Sequence, residues 1–258
     1  MPIAIAGKRI IVTGGARGIG AAAVRNFVLE GAHVVAFDNR PEGEAVTAAA
    51  DAQEPGSARF TLVDVSDEAA VKSAVDAAAA ALGGVDAVFN IAGIERARSA
   101  EALSTADWRM MLDVNVIGVA NVCAAAYPHM AANGGSIANF GSDAALGPHP
   151  NGVHYSASKG AVISYSRALA YDWAKVGIRV NSLVPAIWTP MYDEHRARFT
   201  KDELAAHDEM MKVTIPLGGR LGDPDTDLAP VLVFLASDAS KFITGQIISV
   251  NGGAGYTR

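Results

Sequence analysis

The chain has a single cysteine, Cys123, among 258 residues, which excludes an internal disulfide framework and any zinc site built from several thiolates. Cys123 lies in the apolar run VANVCAAAYPHM and reads as a small buried hydrophobe. Basic residues are also few. The 21 Lys and Arg against 27 Asp and Glu leave a net charge of −6, which argues against a nucleic acid as the main partner. No run of about 18 uninterrupted apolar residues exists, so no membrane span is expected. The amino terminus, MPIAIAGKRIIVTGG, puts its apolar residues ahead of its positive charges, unlike a secretory leader, and the expectation is a cytoplasmic protein. Histidines at metal-ligand spacing are lacking, so no metal site is expected.

What is present is an alternation of short apolar runs with longer helical ones. Strands are expected at 9–13, 33–37, 59–64, 86–90, 135–140, 179–184 and 247–250. Helices are expected at 18–30, 41–52, 67–82 (capped by Ser66), 104–132 as one helix or two, 154–175, 190–212 and 224–237. Continuously apolar strands separated by helices indicate a parallel sheet covered on both faces, a doubly wound α/β fold of seven strands. No linker, charge block or repeat divides the chain. Residues 1–258 therefore read as one domain, with 186–218, rich in charge and carrying Pro190 and Pro216, as a flap over a site.

Directly after the first expected strand comes TGGARGIG, residues 13–20. Gly14, Gly18 and Gly20 permit a tight turn, close approach of backbone to a pyrophosphate and close helix packing, and the N–H groups around Arg17, Gly18 and Ile19 open the helix that would face the phosphates. Asp38 ends the second strand 20 residues after Gly18. A carboxylate there accepts both hydroxyls of an adenosine ribose and repels a 2′-phosphate, which predicts NAD over NADP, with Arg17 and Arg40 nearby to soften the preference. Asp64 and Val65 at the end of strand three, and Asn90, Ala92 and Gly93 at the end of strand four, fall on the same carboxyl edge.

Tyr155 and Lys159 stand four residues apart at the start of an expected helix, which puts phenol and ammonium on one face. A free tyrosine has a pKa of about 10, and lowering it by about 3 units needs about 4 kcal/mol, a demand one close ammonium and an oxidised nicotinamide can meet. Tyr155 then serves as general base in alcohol oxidation and general acid in ketone reduction.

Ser142 lies 13 residues upstream of Tyr155, Asn115 sits within LDVNVIGVAN, and the chain closes with Ile243-Thr244-Gly245-Gln246 and Asn251-Gly252-Gly253. With TGGARGIG and Asn90-x-Ala-Gly, these residues resemble the short-chain dehydrogenase/reductase family along essentially the whole chain, in the family's order and spacing. The resemblance implies a Rossmann-like fold, a catalytic set of Asn115, Ser142, Tyr155 and Lys159, and commonly a homotetramer. It implies that Ser142 bonds the substrate oxygen, that Lys159 lowers the tyrosine pKa and holds the nicotinamide ribose, and that Asn115 holds a water in a proton relay. One departure stands out. Ala186 follows Pro185 where the family often has glycine, and the gap to Thr189 is a residue short, so Ile187 and Thr189 are expected against the nicotinamide on a shifted path.

Glu95, Ala144, His149 and Trp188 are the candidate substrate contacts, on surfaces mostly apolar or aromatic. They suit a small, weakly polar secondary alcohol or ketone, cyclic ones included. Two alternatives stand beside an NAD-dependent alcohol dehydrogenase. One is an NADPH-dependent 3-oxoacyl-thioester reductase, disfavoured by Asp38 and by six acids against four Lys or Arg in 193–212. The other is a non-catalytic NAD-binding regulator, disfavoured by the complete catalytic set.

Overall fold

The structure, a computed structural model, describes residues 4–255; the first and last three residues of the expected domain lie outside the described residues. Its sheet is built from β1 (Arg9–Thr13), β2 (His33–Asp38), β3 (Ser57–Leu62), β4 (Ala87–Asn90), β5 (Gly135–Phe140), β6 (Ile178–Pro185) and β7 (Ile247–Val250). All pairings are parallel, in the order β3-β2-β1-β4-β5-β6-β7. Parallel neighbours need crossovers, and the helices α1 (Gly18–Leu29), α2 (Gly43–Asp51), α3 (Glu68–Leu82), α4 (Thr105–Leu112), α5 (Gly118–Met130) and α6 (Val153–Trp173) supply them. Three more follow β6: α7 (Pro190–Arg196), α8 (Lys201–Thr214) and α9 (Ala229–Ala236).

The alternation of a pleated strand decides which core each residue joins. Ile10 and Val12 of β1 pack with Phe27 of α1 and Leu232 of α9 on one face; Ile11, between them, packs with Val75 of α3 and Val122 of α5 on the other. Burying such side chains contributes roughly 1.5–3 kcal/mol each. The strand order reverses between β1 and β4, and the crevice at their carboxyl ends is where ligands of such sheets bind. Thr13 and Asn90 are register partners there, which sets the β1–α1 turn beside the segment leaving β4.

Three local differences from expectation have physical reasons, and one open alternative, a single helix or two at 104–132, is decided. β3 runs two residues earlier than the apolar run RFTLVD indicates. It is an edge strand with Leu62 exposed, whereas Val63 and Val65 leave the ladder and bury their side chains in the core beneath. The cap of α3 is Asp67, which accepts from Ala70 N at 2.9 Å; the Ser66 hydroxyl instead donates to Asp64 at 2.7 Å. Between α4 and α5 the helix continues through a π-turn at Asp113–Ile117, so 105–130 is one helix with a widened turn at Asn115. The segment at 190–212 is two helices, the second opened by a reciprocal cap between Thr200 and Glu203.

The helix Thr105–Met130 is long and apolar enough by length and composition to cross a bilayer. Here it is a core helix, with Met111, Val119, Val122, Cys123, Ala126 and Met130 buried.

Candidate active site

A cleft of about 460 Å³ follows the carboxyl edge of the sheet. Its floor is bare backbone. Gly14 has φ +73°, and a Cβ on it would lie 2.8 Å from Ala92 N; a Cβ on Gly20 would lie 1.9 Å from the Gly14 carbonyl. The Thr13 hydroxyl accepts from the N–H groups of Ile91 and Ala92, both at 3.1 Å, and locks the two turns together. Helix α1 opens at Gly18 with no side-chain cap and no acid in its first turn. Its N-terminus thus offers N–H groups and the positive end of a dipole to the cleft, a setting for a pyrophosphate. Arg17 is tied across the cleft to Glu194 of α7 at 3.0 Å, which joins this loop to the flap.

At the end of β2 the Asp38 carboxylate is fixed by two main-chain donors, Ala16 N and Arg40 N, each at 3.0 Å. Asp64 accepts from the Ser66 N–H and hydroxyl, which hold its carboxyl below the usual range. These residues and Val65 line the half of the cleft that suits an adenosine, Ala92 lies against Gly14, and Gly93 belongs to the other half, where a Cβ on it would lie 3.3 Å from Lys159 Nζ; the cradle as a whole fits a dinucleotide. Asn90 does not line it. Its amide donates to Asn139 at 2.8 Å in the core, so its position supports the β4 turn from behind.

The other half holds Ser142, Tyr155 and Lys159; Ile187 and Thr189 also line the cleft, Thr189 beside Gly18. Ser142 is extended at the end of β5, where its Oγ accepts from Ala144 N at 3.2 Å and stands near enough to the Tyr155 hydroxyl to favour its ionised form. One turn along α6, the Lys159 ammonium donates to the Phe140 carbonyl at 2.8 Å and lies 5.9 Å from the centre of the Tyr155 ring. Asn115 sits behind this group, fully buried. Its amide accepts from Ile94 N at 2.8 Å and donates to Ile94 O at 2.9 Å and to Ser158 at 3.0 Å. π-turns recur at functional sites because they turn one side chain out of the helical ladder.

The electrostatics differ from expectation. Burial pushes the Tyr155 phenol up to about 12, against the opposing effect of Ser142, and pushes Lys159 down to about 8. Among the protein's own groups, desolvation outweighs the help Lys159 was expected to give, because the two side chains share no hydrogen bond. An amine lowered from 10.5 to about 8 by folding destabilises the native state by roughly 3 kcal/mol below pH 8, and this penalty disappears as the pH rises towards 10.5. Lys159→Met is therefore expected to melt higher than the wild type at pH 7, by several degrees, with the difference shrinking by pH 10. Scanning calorimetry across that range checks it.

Of the expected substrate contacts, only Glu95 lines the cleft. Ala144 is buried, His149 stands behind Glu95, and Trp188 turns outward to donate to Asp193 at 2.8 Å and stack with Arg196 and Tyr192 of the flap. Sequence reasoning passed over Asn39, Val114, Gly141 and Leu221, which also line it. Asn39 is legible as the neighbour of Asp38; Leu221 is not, since it reaches the cleft through the bridge between Ile187 and Gly222.

A sequence profile described as Enoyl-(Acyl carrier protein) reductase matches residues 14–255. D-threitol dehydrogenase of Mycolicibacterium smegmatis is 38% identical over 96% of this chain and 92% of its own, and L-fucose dehydrogenase of Bos taurus is 39% identical over 98% and 92%. The chain belongs to the short-chain dehydrogenase/reductase family. It is an oxidoreductase of the kind that acts on alcohols and ketones with a nicotinamide dinucleotide. Within the family its fold matches carveol dehydrogenase from Mycobacterium avium in complex with NAD (TM-score 0.90, 28% identity, 97% of this chain and 98% of that one). It also matches a gluconate 5-dehydrogenase from Burkholderia cenocepacia in complex with NADP and tartrate (TM-score 0.89, 33% identity, 98% and 96%). The family's cofactors thus include both dinucleotides.

Proposed function

We propose that this dehydrogenase interconverts a small, mostly apolar secondary alcohol and its ketone with NAD(H), and that Tyr155 exchanges the proton. The observation that carries the proposal is the joining of two halves of one cleft. An uncapped helix end and the fixed Asp38 carboxylate lie at one end, and Ser142, Tyr155 and Lys159 lie together at the other. When bound, the nicotinamide supplies the hydride acceptor and, oxidised, a positive charge at the Tyr155 end.

In oxidation Tyr155 accepts the carbinol proton, and in reduction it returns one to the carbonyl oxygen. Ser142 hydrogen-bonds that oxygen and stabilises the charge that develops on it. Lys159, held by Phe140, supplies a cation below Tyr155 and donors for a ribose. Asn115, whose side chain is engaged by Ile94 and Ser158, positions the segment after β4. Asp38 selects the dinucleotide, and 186–218 covers the site, anchored by Arg17–Glu194. An acyl-carrier reductase role is disfavoured by the acidic 193–212 segment, which would repel an acidic carrier.

The test is a panel of secondary alcohols offered with NAD⁺ and with NADP⁺, read as reduced nicotinamide formed. NADH formation from small carbocyclic or short-chain secondary alcohols is expected, at least tenfold more efficient than NADPH formation. Binding of NADH with no turnover of any alcohol or ketone would leave only a nucleotide-binding protein.

A further inference from the structure

The loop leaving β4 and the loop entering α6 meet beside Tyr155 through a contact that the catalytic set does not use. Glu95 and His149, 54 residues apart, are joined at 2.8 Å between a carboxylate oxygen and Nε2. Both side chains are about one-third exposed. The imidazole has a built seat: a Cβ on Gly152 would fall 2.1 Å from its Cδ2, so that face of the loop fits the ring only because residue 152 is glycine. The same ring lies 5.6 Å from the Tyr155 ring, and Arg98 N donates to the Asn151 carbonyl at 2.6 Å, a second stitch between the loops. Glu95 is close enough to Tyr155 and Lys159 to act on both electrostatically.

The acids lining the cleft are Asp38, Asp64 and Glu95; the first two stand at the ends of β2 and β3, on the adenosine side. Glu95 alone of the three stands at the Tyr155 end, tied to the histidine whose ring faces Tyr155. A carboxylate accepts hydrogen bonds and cannot donate them. Lining the cleft and oriented by an imidazole, it selects a ligand that brings a donor.

We infer that Glu95, held in place by His149, forms a subsite for a hydroxyl on the carbon next to the carbinol, so that the substrate is a vicinal diol or the matching hydroxyketone. This rests on the reading above that Tyr155 and the dinucleotide act on a secondary alcohol. Glu95 is the specificity-determining group, and His149 is a positioning residue that acts through it.

The experiment compares trans-cyclohexane-1,2-diol with cyclohexanol, each with NAD⁺, and reads the ratio of their kcat/KM values. A hydrogen bond to a charged group predicts that the wild type favours the diol by about tenfold to a hundredfold. Glu95→Ala is expected to bring the ratio close to one, and Glu95→Gln, which keeps an acceptor oxygen, to give an intermediate ratio. His149→Phe keeps a ring over Gly152 but releases the carboxylate, and is expected to raise KM for the diol more than it lowers kcat. Turnover of both compounds with no diol preference in the wild type, or a preference that survives Glu95→Ala, overturns the subsite and leaves the proposed reaction standing. No turnover of either compound, or of any other secondary alcohol, overturns both.

Discussion

Tyr155→Phe is expected to lower kcat for alcohol oxidation and for ketone reduction by about a thousandfold, within the range that loss of a positioned acid or base gives. NADH affinity is expected to stay within a few-fold of the wild type. The reason is local. The hydroxyl is the group that faces Ser142, while the ring is packed by His149 and stands above the Lys159 side chain, contacts that phenylalanine keeps. The pH dependence should follow the same group. Burial alone puts the phenol at about 12, so in the oxidation direction the base form is scarce at neutral pH and the rate should climb as the pH rises. Reduction, which needs the protonated phenol, should not climb with it. Steady-state rates in both directions from pH 6 to 10, for wild type and Tyr155→Phe, check the assignment; a variant retaining a tenth of the wild-type rate would remove Tyr155 from the chemistry.

The second large effect is expected at the other end of the cleft. Asp38→Ser should move the preference for NADH over NADPH by about a hundredfold or more towards NADPH, since a like charge set against a desolvated phosphate costs several kcal/mol. Serine keeps an oxygen that can accept from Ala16 N, which Asp38 now binds at 3.0 Å, so the turn is preserved while the charge is lost. Arg17 and Arg40 line the same region and then face a 2′-phosphate without a competing carboxylate from Asp38. Fluorescence titration of both reduced dinucleotides measures the ratio. An unchanged ratio would mean that selection lies elsewhere, with the Arg17–Glu194 tie as the next residue pair to vary.

Much of this site is legible because its parts are local in sequence. Gly14, Gly18 and Gly20 lie within one turn between a strand and a helix, and Tyr155 and Lys159 lie within one helical turn, where Ser142, Asn115 and the resemblance to the family single them out. The parallel sheet needed only apolar runs separated by helices, and its seven strands appear where those runs predict them, apart from the slipped edge strand β3; their order comes from the structure. The losses are where a contact spans the chain or where two groups compete for one role. Glu95 and His149 are 54 residues apart, and nothing in either segment signals their pairing. Ser66 and Asp67 are both able caps, and the choice is decided by Asp64, which captures the serine hydroxyl. Trp188 reads as a pocket aromatic from its place after β6. It is drawn outward by Asp193 and Arg196, partners that belong to the folded flap. The direction of the Tyr155 shift follows from burial, which the i, i+4 spacing does not report.

The central claim is that one cleft holds the dinucleotide with its adenosine ribose on Asp38 and its nicotinamide beside Tyr155. A crystal structure of the protein grown with NADH tests it most directly. The account predicts both ribose hydroxyls on the Asp38 carboxylate, the pyrophosphate over the N-terminus of α1, and the reactive nicotinamide carbon facing a substrate position about 3–3.5 Å away, next to the Tyr155 hydroxyl. A dinucleotide lying in the reverse direction, or bound away from Tyr155, would contradict it.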